Sequence, residues 1–285
     1  MHATDHMHTR RELVALLKQR QLHLTKRLGQ HYLVDPSMTR RVVELCALPA
    51  GATVVEIGAG LGALTDLLAA RSRRVIAVEI DHGVAGLLRE RMSSLTNVEI
   101  VEQDILEFPW AEHSGCAVVG AIPYHIPSPI LVQLAEQAPH IAGVWIGTQR
   151  ELADRLAARP GTKAYGRLSV LAQYGFVVKP LLRMPRTVFF PEPDVDSMWL
   201  QLIPHAQPPV ASADKALFFD VVRAAFSQRR KMLANCLLQV ERVQLDRDAA
   251  LRAMERAGIA PRARGEELDL KAFAALTEAV ADCAL

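Results

Sequence analysis

Three closely spaced glycines, Gly58, Gly60 and Gly62, are the first residues whose types and spacing suggest chemistry. They follow a β-branched run at 53–57 and precede an apolar segment with helical spacing. A backbone without Cβ atoms lets a ligand approach closely, and the start of the following helix favours negative charge. The turn alone is a weak signal, because nicotinamide-dependent enzymes and ordinary tight turns share it.

Two acidic residues make this signal more specific. Glu79 ends the second predicted strand, where an acid in α/β folds hydrogen-bonds ribose hydroxyls. Asp104 follows the third predicted strand, where a carboxylate can accept a hydrogen bond from an adenine amine. Either acid alone would be interpreted as a solvated loop residue. Together with the glycine turn, in this order, they favour a nucleoside ligand.

The elements that must position these residues alternate between strand and helix, which predicts an α/β fold with a parallel sheet and right-handed crossovers. The predicted strands are 53–57, 74–79, 98–101, 116–120, 143–147 and 198–203. Beyond residue 208 there is no strand signal, and the predicted helices are 216–226, 231–238, 247–257 and 270–281. We expect an N-terminal extension (1–25), a ligand-binding domain (26–205) and an all-helical C-terminal domain (206–285). Within the extension, residues 10–18 have the spacing of a short amphipathic helix, either a lid or an ordinary surface helix.

Composition limits the remaining possibilities. The 285 residues are 50% hydrophobic and carry a formal charge of +2, so a nucleic-acid enzyme would need a local basic face. The four cysteines are widely spaced and indicate neither a zinc site nor a disulfide framework. No apolar run approaches the ~20 residues of a membrane span, so we expect a soluble cytoplasmic protein.

A series of ordered motifs covers most of the chain. They are K-R-L-G-Q-H-Y-L-V-D at 26–35, E-I-G-A-G-L-G at 56–62, V-E-I-D at 78–81, Q-D-I-L at 103–106, I-P-Y-H-I-P-S-P-I at 122–130, P-G-T-K-A-Y-G-R-L-S-V at 160–170, F-F-P-E-P-D-V-D-S at 189–197 and A-F-S-Q-R-R-K-M-L-A-N at 225–235. With these motifs, the chain resembles the rRNA adenine dimethyltransferase family. The helical C-terminal domain resembles the dimethyladenosine transferase branch, not the macrolide-resistance methylases.

This resemblance implies a Rossmann-like class I methyltransferase domain that uses S-adenosylmethionine as its cofactor. The chemistry it implies is direct displacement at the sulfonium methyl group, which requires no metal. By the same resemblance, the cofactor-binding residues are His31, Leu33, Gly58, Gly60, Glu79, Asp104 and Ala121.

The acceptor motif departs from the family pattern. Where the family has Asn-Leu/Ile-Pro-Tyr/Phe, this sequence reads Ala121-Ile122-Pro123-Tyr124. The family asparagine holds the exocyclic amine of adenine, and its loss from a dry site costs on the order of 10²-fold in rate. Tyr124 and Phe189 match the family's aromatic stacking residues, and such stacking contributes ~1–3 kcal/mol per ring. A planar acceptor is therefore still expected.

Three interpretations of the acceptor remain. We favour a small aromatic substrate whose nucleophile is not an amine, such as an indole carbon of a tryptophan-derived natural product. Tyr124 and Phe189 would clamp the ring, and His125 would be the catalytic base. The missing asparagine, the nearly balanced charge, and Asp194 at a position where the family often has lysine all favour this reading.

In the second interpretation, the enzyme dimethylates adenines of the small-subunit ribosomal RNA. The basic clusters Lys26-Arg27, Arg40-Arg41 and Arg229-Arg230-Lys231 would then bind phosphates. In the third, catalysis is lost and the protein is an RNA-binding assembly factor, although the intact cofactor motifs weigh against this.

Overall fold

A computed structural model describes residues 9–20, 30–122, 127–207, 209, 214–228 and 231–284. The chain divides into two units, the first comprising residues 1–153 and 178–204 and the second residues 154–177 and 205–285. Residues 154–177, which we assigned to the ligand-binding domain, group instead with the C-terminal helices.

The strands and helices in the described residues are as follows. The strands are β1 (Tyr32–Leu33), β2 (Thr53–Ile57), β3 (Arg74–Glu79), β4 (Val98–Glu102), β5 (Cys116–Ala121), β6 (Ile141–Gln149), β7 (Phe176–Met184), β8 (Phe189–Phe190) and β9 (Ser197–Pro204). The helices are α1 (Arg10–Gln19), α2 (Pro36–Leu45), α3 (Thr65–Ala69), α4 (His82–Met92), α5 (Pro127–Glu136), α6 (Arg150–Leu156), α7 (Arg167–Gly175), α8 (Lys215–Ala225), α9 (Leu233–Leu237), α10 (Arg247–Arg256) and α11 (Leu270–Cys283).

The main sheet has seven strands in the order β4-β3-β2-β5-β6-β9-β7. The pairs β3–β4, β2–β3, β2–β5 and β5–β6 are parallel, and β6–β9 is antiparallel. The central strands are apolar runs that are buried on both faces, as parallel sheets require. The predicted α/β class is confirmed. Strand β7 was not predicted, because Lys179 and Pro180 interrupt its pattern, and proline is tolerated at a sheet edge.

The adjacent strands β2 and β5 leave no room for a side chain at Gly120. A Cβ atom on this residue would lie 2.2 Å from the carbonyl oxygen of Ile57, its register partner. The backbone φ of 155° is also one that other residues rarely adopt. Glycine at position 120 therefore allows the ends of the two strands to lie side by side. Gly58 follows the end of β2, and Ala121 is the last residue of β5.

Capping side chains begin the helices that flank the sheet. Asp35 accepts a hydrogen bond from the amide of Met38 at 2.7 Å, and Pro36 occupies the first position of α2, where proline is favoured. Asp81 caps α4 in the same way through the amide of Val84 at 3.1 Å. Helix α3 starts at Thr65, because the residues before it form the turn in which the Gly62 amide donates to the Ala59 carbonyl.

Among the described residues of the second unit, only the first two of β7 lie in a strand, and the four C-terminal helices lie where the sequence predicts them. Its core includes Phe218 and Phe273, both fully buried. The hydroxyl of Tyr165 donates to the carbonyl of Leu268 at 2.8 Å and ties the segment at 154–177 to these helices. Throughout the described residues, no helix is both long and apolar enough to cross a membrane.

Candidate active site

A cavity lies at the carboxyl ends of β2 and β5, where ligands bind in open α/β sheets. Three segments line most of the cavity: the chain around β1, the glycine turn after β2, and the end of β5. The lining residues are Leu13, His31, Tyr32, Leu33, Val34, Glu56, Gly58, Ala59, Gly60, Leu61, Ala63, Leu64, Arg91 and Ala121.

The glycine turn needs its glycines for conformation and for space. Gly58 and Gly60 have φ values of 66° and 57°, in the left-handed region. A Cβ atom on Gly60 would lie 2.9 Å from the ring of Tyr32, and one on Gly58 would lie 3.4 Å from the carbonyl oxygen of Ala121. The turn is therefore packed closely between β1 and the end of β5.

Glu79 connects the end of β3 to this turn. It is 7% exposed, and its carboxylate accepts hydrogen bonds from the amide of Gly60 at 2.8 Å and from the amide of Asp81 at 3.0 Å. Burial raises the pKa of this carboxyl group, while the two amide bonds oppose that effect. Since a carboxylate has about four acceptor positions, Glu79 can still accept bonds from ligand hydroxyls.

A second buried acid, Glu56, was not singled out from the sequence. Its carboxylate accepts a hydrogen bond from the hydroxyl of Thr65 at 2.6 Å and lines the cavity. Burial raises its pKa to about 8. The signal was present, because an acid within the apolar strand V-V-E-I requires a partner or a function.

The buried proton of Glu56 predicts a pH-dependent stability. Between its ordinary pKa of 4.5 and about 8, the folded protein holds a proton that the unfolded chain has released. The free energy of unfolding of the ligand-free protein should therefore fall as pH rises through this interval, by roughly 3 to 5 kcal/mol. Glu56→Gln should flatten this dependence, and the exposed control Glu44→Gln should not. Chemical denaturation at a series of pH values checks this, and parallel curves for Glu56→Gln and wild type would contradict it.

Strand β1 lies beside the cavity because it pairs with β8. Leu33 is opposite Phe189 in this antiparallel pair, and His31 Nδ1 lies 2.7 Å from the carbonyl oxygen of Pro191. Both His31 and Leu33 line the cavity. The two-residue strands carry little sequence signal, so their pairing could not be predicted.

Asp104 and Ala121 follow two other strands of the sheet. Asp104 is half-buried after β4, where its carboxylate accepts from the amide of Leu106 at 2.9 Å, and it is not among the described residues that line the cavity. Ala121 ends β5, is exposed and lines the cavity. Its methyl side chain provides no hydrogen-bond acceptor.

The three residues predicted to be catalytic are not brought together in the described part of the chain. Tyr124 and His125 lie outside the described residues. The side chain of Phe189 is 6% exposed and packs in the core cluster that contains Trp145, Met184 and Trp199. Its pairing in β8 directs the ring into this core.

This sheet order, with a glycine turn and a buried acid at the ends of successive parallel strands, defines a class I S-adenosylmethionine-dependent methyltransferase. The chain belongs to the ribosomal RNA adenine dimethylase family, whose model matches residues 21–281.

Individual relatives agree with this assignment. The chain is 40% identical over 264 residues to a ribosomal RNA small subunit methyltransferase A of Geobacillus thermodenitrificans, with 90% of each chain covered. It is 38% identical over 264 residues to a protein of the same name from Bacillus mycoides, again with 90% of each chain covered.

Solved structures show the same fold. The 23S rRNA methyltransferase ErmE has a TM-score of 0.66 and 30% identity, covering 88% of this chain and 99% of its own. A dimethyladenosine transferase from Plasmodium falciparum has a TM-score of 0.73 and 24% identity, covering 85% of this chain and 94% of its own.

The polar groups of this site fit S-adenosylmethionine, the cofactor of this class. Glu79 is not among the described residues that line the cavity, but it is a buried carboxylate bonded to the glycine turn and has acceptor positions left for ligand hydroxyls. The hydroxyl of Tyr32, which lines the cavity, is buried without a hydrogen-bond partner among the described residues. A polar ligand or a water molecule would satisfy it.

The comparisons overturn the favoured interpretation of the acceptor. Relatives with 38–40% identity over 90% of the chain carry the name of ribosomal RNA methyltransferases, so the predicted indole substrate and natural-product role are wrong. The non-catalytic interpretation is likewise not supported, because the chain is a methyltransferase. A resemblance that spans most of the chain indicates the acceptor more strongly than the single altered residue Ala121 does.

Proposed function

We propose that this enzyme transfers methyl groups from S-adenosylmethionine to the N6 amine of adenine in the small-subunit ribosomal RNA, forming dimethyladenosine. The observation that carries this proposal is the 40% identity, over 90% of both chains, to a protein named for methylation of that RNA. Work on ribosomal subunits would place the enzyme in the cytoplasm.

The bound cofactor supplies an electrophilic methyl group on a sulfonium. The protein's contribution is mainly positioning of this group and of the acceptor. His31, Leu33 and the turn at 58–60 would hold the methionine end of the cofactor, and Glu79 its ribose. Asp104, after the neighbouring strand, would hold the adenine.

The acceptor adenine would stack on Tyr124, by the match of this residue to the family motif. Phe189 is not part of this proposed clamp, since its ring is buried in the core. Of the basic clusters expected to bind phosphates, the described members Arg40, Arg41 and Lys231 are exposed. Arg41 also lies 3.7 Å from Glu44, a separation at which a surface ion pair is weak and leaves the arginine available to RNA.

Because the side chain of Ala121 has no hydrogen-bond acceptor, main-chain carbonyls would hold the adenine amine. The side chain at 121 is exposed at the mouth of the cavity, so a longer side chain has room there. We therefore expect Ala121→Asn to raise kcat on small ribosomal subunits by about tenfold, since an added acceptor localises the lone pair of the amine in the transition state.

Ala121→Leu is the matched control, because leucine has nearly the same shape as asparagine but no acceptor. It should not raise kcat. Single-turnover methylation of small subunits that lack the adenine modification measures both variants. Equal rates for Asn and Leu at position 121 would contradict an amine nucleophile held at this position.

A further inference from the structure

Helix α1 lies outside the part of the chain that matches the family model, residues 21–281, yet one of its residues forms part of the cofactor cavity. Leu13 is 1% exposed and lines the cavity together with Gly60 and Leu61 of the glycine turn. We propose that α1 is a wall of the cofactor site, and that Leu13 slows the release of the S-adenosyl ligand.

The helix is well formed and presents a single apolar face. Thr9 and Glu12 make a capping box, with the Thr9 amide donating to the Glu12 carboxylate at 2.8 Å and the Glu12 amide donating to the Thr9 hydroxyl at 3.4 Å. Leu13 and Leu17 lie one helical turn apart and are buried on the same side. They form a hydrophobic cluster with Leu61.

Two further contacts hold α1 at its ends. At the C-terminal end, both terminal nitrogens of Arg20 bond to the carboxylate of Glu90 in α4, at 3.2 and 2.7 Å. At the N-terminal end, the guanidinium of Arg10 lies 5.2 Å from the ring centre of Phe190 in β8, within the range of a cation–π contact. The helix is thus in contact with both α4 and β8.

This placement gives Leu13 a role in ligand binding that its neighbours lack. Leu17 packs in the same cluster but is not among the described residues that line the cavity, and Val14 is 42% exposed on the outer face of the helix. A ligand that fills the cavity would bury apolar surface against Leu13, and that contact must be broken for the ligand to leave.

The experiment measures dissociation of S-adenosylhomocysteine directly, so its result does not depend on the RNA acceptor. The full-length protein is loaded with labelled S-adenosylhomocysteine and chased with an excess of unlabelled ligand. Leu13→Ala should speed dissociation on the order of tenfold, and Leu13→Val, which removes one carbon, should speed it about threefold. Val14→Ala should leave the rate unchanged.

Leu17→Ala separates ligand contact from helix packing. It removes as much apolar surface from the cluster as Leu13→Ala does, but it leaves the cavity wall in place. We expect a smaller increase in the dissociation rate than for Leu13→Ala. Circular dichroism confirms folding of each variant, and Leu13→Val serves if Leu13→Ala does not fold. An equal effect of Leu17→Ala, or unchanged rates for both Leu13 variants, would overturn the proposal.

Discussion

Glu79→Gln is expected to raise the Kd for S-adenosylmethionine by about 100-fold while the protein remains folded. The carboxylate accepts bonds from the amides of Gly60 and Asp81. An amide side chain has only one acceptor oxygen, so its NH2 group would face one of these donors. Losing one charged hydrogen bond to the turn, together with the bond expected to a ribose hydroxyl, amounts to roughly 3 kcal/mol.

Glu102→Gln provides a matched control for this variant. Glu102 is the register partner of Glu79 in the neighbouring strand, but its carboxylate pairs with His82 and Arg89 at the surface. We expect less than a threefold change in Kd for the control. Isothermal titration of both variants with S-adenosylmethionine tests the difference, and similar Kd values for Glu79→Gln and wild type would remove Glu79 from the cofactor site.

Gly120→Ala is expected to lower the free energy of unfolding by about 3 kcal/mol or more, and to abolish methyl transfer in the fraction that folds. The added methyl group would meet the carbonyl oxygen of Ile57 at 2.2 Å, a contact with backbone that side-chain movement cannot relieve. Separation of β2 from β5 would also move Ala121 away from Gly58.

Gly86→Ala is the control for this glycine. It lies within α4, and an added Cβ would have no atom within 4 Å. Because alanine favours helix over glycine by about 0.5 to 1 kcal/mol, this variant should be neutral or slightly stabilising. Urea denaturation of both variants measures the difference. A Gly120→Ala protein as stable as wild type would show that the two strands do not approach as closely as described.

The sheet could be predicted from sequence because its strands are short β-branched runs bounded by glycine and turn residues. For β2 and β3, even the ends agree with the prediction. The glycine turn and Glu79 were found for the same reason, since each lies at the end of a predictable strand. Their direct contact, from the Gly60 amide to the Glu79 carboxylate, follows from the parallel pairing of β2 and β3.

The features that sequence could not supply depend on contacts between distant segments. The burial of Phe189 is set by the pairing of β8 with β1, more than 150 residues earlier in the chain. The position of Leu13 depends on the packing of α1 beside the glycine turn, which no local pattern specifies. The acceptor was misjudged for a different reason: main-chain carbonyls, which have no sequence signature, can replace a side chain as hydrogen-bond acceptors.

The central claim, methylation of adenine in ribosomal RNA, is tested most directly with labelled S-adenosylmethionine and small ribosomal subunits that lack the adenine modification. After the reaction, the RNA is digested to nucleosides and separated. The account predicts label in N6,N6-dimethyladenosine, and none when the subunits are already modified. If the protein binds S-adenosylmethionine but leaves the RNA unlabelled, the proposed methylation of ribosomal RNA is contradicted.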